Sequence, residues 1–229
     1  MKPWGIAVPI AITLGGLAAT LLIGYSLMNG TFSSWQISGH ETVNFTFTMQ
    51  MMALPVSFVA LALMYFYDHA AFLKYFRPSI KTSSEWNIHG PVVAIAFTIG
   101  TMMFMSFSVV SQHGVMNEKF FSLLPLVFFF AATNAWSEEI ISRFVLVAGL
   151  DGKLRPGLIC LLSALIFGVA HYSFGTPSGL FGVLGSGALG WFLAKSVVET
   201  RGMGWALLIH FLQDVVIFGA GGMVLAGKE

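Results

Sequence analysis

Seven stretches of the chain are apolar for about 20 residues or more, the length of helix that crosses a bilayer. They lie at roughly 4–28, 44–67, 90–112, 120–148, 157–174, 178–198 and 203–225, with short polar segments between them. This pattern predicts an all-α, polytopic transmembrane helix bundle of about seven spans. The fourth stretch is long, and Pro125 predicts a tilt or a break within it. Pro9 and Pro55 also fall inside spans, where neighbouring helices can satisfy the freed carbonyls. The longest connection, 68–88, mixes aromatic and basic residues and predicts a helix lying at the membrane surface. In the sixth stretch Gly182, Ser186 and Gly190 recur every fourth residue, a ladder that lets helices approach closely. The methionines at 49–52 and 102–105 read as packing residues.

Composition agrees with the pattern. Hydrophobic residues make up 56% of the 229 positions and charged residues 9%, against roughly a quarter charged in soluble domains. Mean hydropathy is +0.82. The chain reads as one integral membrane domain, 1–229, whose motif-bearing core spans about 120–225. A net charge of +1 gives no pointer to nucleic acid. Cys160 is the single cysteine and reads as apolar filler. The first stretch exceeds the ~7–15 residue core of a cleaved signal peptide, so it reads as a span.

Basic residues orient the bundle. With the N-terminus in the cytoplasm, Lys2, Lys74, Arg77, Lys81, Lys153, Arg155, Lys195 and Arg201 all lie inside, and only Lys119 and Lys228 lie outside. The C-terminus is then external. Arg143 is not counted, because it lies within a span.

That arginine belongs to "NAWSEEIISRFVL", which carries Glu138, Glu139 and Arg143 through an otherwise oily region. His171 lies in the fifth span, and His210 and Asp214 lie in the seventh. A carboxylate at mid-membrane costs about 2.5–3.5 kcal/mol on insertion scales, so these groups must face one another or water. At about 1.5 Å per residue, Glu138, His171, His210 and Asp214 lie roughly 16, 21, 10 and 16 Å from the cytoplasmic ends of their spans. Three helices thus bring polar groups to a similar level. Glu139 and Arg143 are spaced i, i+4 in the favourable order for an ion pair. Glu138 is turned by about 100° and projects into the cavity. His210 and Asp214 share a face at i, i+4, and Phe167 lies one turn from His171. A Glu–Arg pair or a lone buried histidine is most often structural; six such groups at one level make a functional cavity the better reading.

Two chemistries fit these residues. In one, Glu138 takes a proton from water, His171 shares that water, His210 donates to an oxyanion and Asp214 orients His210. In the other, Glu138, His171, His210 and Asp214 supply ligands to a divalent metal such as zinc. The HExxH pattern of zinc proteases is absent from the sequence. A proton-coupled transporter is the rival from another class, since buried acids and histidines also serve relays.

The motifs E-E-x-x-x-R at 138–143, F-x-x-x-H at 167–171 and H-x-x-x-D at 210–214 occur in order on membrane helices. In this they resemble the CPBP family, which comprises the CAAX-type prenyl endopeptidases and their prokaryotic relatives, including bacteriocin-processing and immunity proteins. The resemblance implies a glutamate-dependent intramembrane protease acting on a lipidated, prenylated or membrane-associated protein or peptide. It implies Glu138 as base with His171 helping to activate water, and His210 with residue 214 at the oxyanion. Family members are often catalogued as metalloproteases, so the resemblance leaves the cofactor as none or a divalent metal. A non-catalytic scaffold or immunity protein of the same fold is its second implication. Phe144 stands where relatives often have Gly, and Asp214 where the eukaryotic type has Asn. An ionised Asp cannot donate to an oxyanion, and prokaryotic relatives commonly carry it. The expected location is a prokaryotic plasma membrane, with the active cavity facing the cytoplasm.

Overall fold

The computed structural model describes residues 4–78, 80, 85–173 and 175–228. Lys2 and Lys81, which entered the charge count, lie outside them. The described residues fold into α1 (Trp4–Met28), α2 (Glu41–Tyr67), α3 (His69–Tyr75), α4 (Trp86–Ser111) and α5 (Glu118–Glu139). A π-helical turn (Ile140–Phe144) then leads into α6 (Val145–Leu150), followed by α7 (Pro156–Ala170), α8 (Gly179–Thr200) and α9 (Gly204–Ala226). Among the described residues six elements are long and apolar enough to cross a membrane, counting 118–150 as one. Their perimeter exposes large apolar side chains such as Phe66, Phe107 and Phe181, 77–83% accessible, a surface that water would not tolerate over such an area.

Three sequence expectations are corrected in detail. The helix runs unbroken through Pro125, and the irregularity falls instead at 140–144, where the turn widens. The expected fifth span is the 15-residue α7, which ends at Ala170. At about 1.5 Å per residue it reaches roughly 22 Å, short of the ~30 Å hydrocarbon layer. The surface helix of the 68–88 connection is a short one, capped by Asp68, whose carboxylate accepts from the Ala71 amide at 2.9 Å.

Small residues fix the packing. α7 and α8 form a close antiparallel pair: a Cβ on Gly168 would sit 2.6 Å from the Val183 carbonyl oxygen, and one on Gly182 2.6 Å from that of His171. The ladder on α8 therefore has the structural role read from it. α5 runs against α9, tied at one end by Asn117, whose side chain caps the Phe120 amide and donates to the Ala226 carbonyl. Pro9 of α1 lies against Gly149, where a Cβ would come within 2.5 Å of the ring.

The two ends of the bundle differ in charge. At one end Lys74 of α3 pairs with Asp151. Lys153 donates to the Gly149 carbonyl at 2.6 Å, and Trp86 Nε1 donates to Glu199 at 2.6 Å. Arg77, Arg155 and Arg201 lie at this end too. The opposite end holds the start of α2 and α5 and the ends of α1 and α9, with Lys119 and Lys228.

Candidate active site

The π-helical turn begins directly after the two glutamates. Wider turns of this kind recur at functional sites because they re-aim side chains on an otherwise regular helix. Ser142 Oγ donates back to the Glu138 carbonyl, and Arg143 Nη1 donates to Ser142 Oγ at 2.7 Å. Arg143 also meets Glu139 Oε1 at 3.0 Å, the ion pair that the spacing predicts, and both side chains are wholly buried. The guanidinium lies 3.6 Å from the centre of the Phe167 ring, a cation–π contact strengthened by the lack of water. Gly190 of α8 makes room for it: an added Cβ would press on Phe167 Cβ at 3.3 Å and on Arg143 Nη2 at 3.4 Å.

Glu139 has a second partner. His210 Nδ1 donates to the same oxygen, Oε1, at 2.7 Å. The anchor of His210 is therefore Glu139, not Asp214, which corrects the role drawn from the i, i+4 spacing. Asp214 Oδ2 and Glu138 Oε2 both stand 3.6 Å from His210 Nε2, close enough for electrostatic attraction but beyond a hydrogen bond. Glu138 Oε2 has no hydrogen-bond partner among the described residues. Its side chain is 28% exposed and lines the cavity, as the sequence reading placed it.

His171 follows the last residue of α7, and its Nδ1 donates to the Phe167 carbonyl at 2.9 Å. In the neutral ring this leaves Nε2 with a lone pair. The Phe167 ring lies 4.4 Å from the His171 ring and 5.9 Å from that of His210, so Phe167 touches both imidazoles and the arginine. Gly175 closes over His171, with φ of +116°; a Cβ there would stand 2.5 Å from Cδ2 and 3.1 Å from Nε2.

Two amides were missed by the sequence reading. Asn134 Nδ2 donates to Asp214 Oδ2 at 3.1 Å, and Gln50 Nε2 donates to Asn134 Oδ1 at 3.1 Å. Asn134 lies one turn before Glu138, which is a usable signal. Gln50 sits within the methionine run at 49–52 and gave none.

These groups share a cavity of about 320 Å³, lined by Glu138, His171, His210 and Asp214 together with Gln50 and Asn134. The wall of this cavity is formed by α5, α7 and α9, with α1, α2 and α8 completing it. Toward the basic end it is sealed: residues 140–150 are buried, as are Leu193, Val197 and Ile209. Its other lining residues include Gly24, Phe45, Thr46, Gly175 and Phe218, toward the opposite end. The lining therefore extends toward the end away from the basic loops.

As a metal centre the candidates fit poorly. Among the described residues no group of three or more His, Cys, Asp or Glu side chains is arranged to hold an ion. The Nδ1 contacts to Glu139 and to the Phe167 carbonyl do not count against a metal, because they leave both Nε2 atoms open, as in a histidine ligand.

No curated protein and no solved structure matches the chain. A family model does: residues 120–216, the segment that carries Glu138, His171, His210 and Asp214, match the Rce1-like type II CAAX prenyl endopeptidases, a family of proteases and the one that the three motifs resembled.

Proposed function

We propose that this protein is an intramembrane endopeptidase that uses water, activated by Glu138 and His171, to cleave a lipidated or membrane-associated protein or peptide. The observation that carries the reading is the convergence of a Glu138 carboxylate oxygen, without a hydrogen-bond partner among the described residues, with the imidazoles of His171 and His210 on one cavity. The family match supports a CAAX-type substrate.

In this reading a water molecule lies between Glu138 and His171. Glu138 takes its proton as the oxygen attacks the scissile carbonyl carbon. The carbonyl electrons move onto its oxygen, and His210, when doubly protonated, donates from Nε2 to that oxyanion. The oxyanion then collapses, the C–N bond breaks, and the proton passes to the leaving amine. Glu139 fixes the His210 ring, while Asn134 and Gln50 hold Asp214 beside it. Each of these side chains starts from a rigid helix, as a preorganised site requires.

Asp at position 214 supports the prokaryotic branch, and the charge asymmetry supports a plasma membrane with the basic loops in the cytoplasm. The cavity lining would then extend toward the outer side.

Two experiments test this. Purified protein in vesicles is given a prenylated CAAX peptide, with and without chelator; cleavage with release of a new amine supports the proposal, and ion or proton flux without cleavage overturns it. For sidedness, cysteines placed at Thr46 and at Arg77 are labelled in intact cells with an impermeant thiol reagent. Cys160 is buried and gives little background. Labelling at 46 alone is the expected result, and labelling at 77 alone would reverse the orientation.

A further inference from the structure

Three side chains that line the cavity carry a buried oxygen with no hydrogen-bond partner among the described residues: Glu138 Oε2, Ser137 Oγ and Gln50 Oε1. Glu138 is the base in the proteolytic reading. A serine hydroxyl can turn to donate or to accept. Gln50 Oε1 can only accept, and the residue that carries it is 6% exposed. A buried acceptor left unpaired costs free energy, so an atom of this kind on a cavity wall points to a ligand that completes it.

The neighbours of Gln50 decide which end of its amide is left over. An ionised Asp214 only accepts, so Asn134 turns Nδ2 to Asp214 Oδ2, at 3.1 Å. Asn134 Oδ1 is then the acceptor offered to α2, and Gln50 gives it Nε2 at 3.1 Å. Oε1 is what remains. The acid on α9 thus sets, through two amides, the polarity of a group on α2. Gln50 lies outside 120–216, the segment that matches the family model.

Its place in the cavity suggests the donor. Asn134 precedes Glu138 by four residues on α5, about 6 Å along the axis, on the side away from the basic end. Gln50 joins it there. A polypeptide that reaches Glu138 comes from this side, because the buried residues 140–150 close the other. To be cut it must also be unwound, and an unwound chain at membrane depth carries N–H groups that neither a helix nor bulk water satisfies. An extended chain rises about 3.3 Å per residue, so 6 Å is roughly two residues. We propose that Gln50 Oε1 accepts a hydrogen bond from a backbone N–H of the substrate, roughly two residues from the bond that is cut. This rests on the proteolytic reading of the cavity, and it adds to it a group that positions the peptide.

The test replaces one N–H at a time. A prenylated CAAX peptide is made with a single ester oxygen in place of –NH– at each uncut bond within about three residues of the cleavage point. In the wild-type protein one ester should lower kcat/KM by roughly three- to tenfold more than the others, the worth of a single hydrogen bond. A flat profile would assign Gln50 Oε1 to solvent and overturn the proposal. Gln50→Leu should slow cleavage of every peptide and erase the difference between ester and amide at that one position. Loss of the Asn134 support alone would slow all peptides and leave the difference in place, which also overturns the contact. Gln50→Glu keeps an acceptor of the same length, and it should keep the difference even if the leucine variant does not fold. Binding of the same peptides to the Glu138→Gln protein needs no turnover. A weaker affinity for that one ester, absent when Gln50→Leu is added, together with a wild-type protein that cleaves nothing, would sink the protease reading and leave the contact standing. Cleavage with no ester effect at any position would do the opposite.

Discussion

The two halves of this bundle are made from the same helices and differ in what fills them. At the basic end, the described side chains of residues 140–148, Leu150, Leu193, Val197 and Ile209 are no more than 2% exposed. At the other end the helices stand around hollows of about 320 and 520 Å³. The ionisable groups sit at the seam. Arg143 and Glu139 are on the packed side, wholly buried; Glu138 and His171 are on the open side and line the cavity. The packed half is a foundation that fixes the charges, and the open half is where they can meet a substrate. Adjacent glutamates thus divide the work: Glu139 holds the site and Glu138 faces the solvent.

Exchanging those two residues tests the division most severely. Glu138→Gln keeps the shape and removes the base. Cleavage should fall by about 10²–10⁴-fold, the usual worth of a general base, while the melting temperature in detergent stays within a degree or two of wild type. Glu139→Ala should do the reverse in kind, stranding a buried guanidinium, and should cost about 3–5 kcal/mol, which for a chain of this size means a drop on the order of 10 °C. The double variant Glu139→Gln/Arg143→Met sharpens the point. It should recover most of the lost stability, since apolar replacement of a buried pair is often neutral. It should remain slow, because a neutral amide holds His210 more weakly than a carboxylate does. Full activity in the double variant would break the claim that Glu139 acts through His210.

Sequence alone carried much of this seam. Charges inside apolar spans are so costly that Glu138, Glu139, Arg143, His171, His210 and Asp214 declared themselves, and the fold brings all six together. Helical spacing also gave the Glu139–Arg143 pair. It did not give the Glu139–His210 bond, which joins residues 71 apart across two helices; periodicity within one helix is blind to such contacts. The π-helical turn left no mark, because one widened turn shifts the apolar pattern too little to notice. The shortness of α7 was hidden by the apolar residues that continue past Ala170. The direction of the cavity depends on which half packs more tightly, and that is a property of several helices at once.

Gly175 offers a subtler perturbation of the open half. Its φ of +116° and its nearness to His171 both oppose a side chain. Gly175→Ala should push the imidazole away from its place, and a displacement on the order of 1 Å can cost about 10²-fold in rate. Because the segment is exposed and lies outside the packed half, the strain of a side chain at positive φ should lower the melting temperature by only a few degrees. A rate loss of roughly 10–100-fold, out of proportion to that shift, is expected. An active variant would remove His171 from the water-activating pair.

The smallest effect should come from the rim of the packed half, at Asp151. Burial alone would raise its carboxyl, but hydrogen bonds from Lys74 and Tyr75 and the charges of Lys74 and Arg201 outweigh that and hold it below its ordinary value. The neighbouring Tyr75 phenol is pushed up, by burial first and then by the Asp151 charge. A carboxyl lowered on folding stabilises the protein above its unfolded value near about 3.9, and the gain is lost as pH falls through the lower folded value. The Lys74 and Asp151 side chains are each 37% exposed, so solvent screening limits the pair to about 0–1 kcal/mol, or at most roughly 2–4 °C. Asp151→Asn should therefore melt slightly below wild type at pH 7, and the two curves should converge below about pH 4. A gap that persisted at low pH would show that Asp151 supports the rim by packing rather than by charge. The packed half would then owe its closure to apolar contact throughout, with the ion pairs at its edge serving only to set its orientation in the membrane.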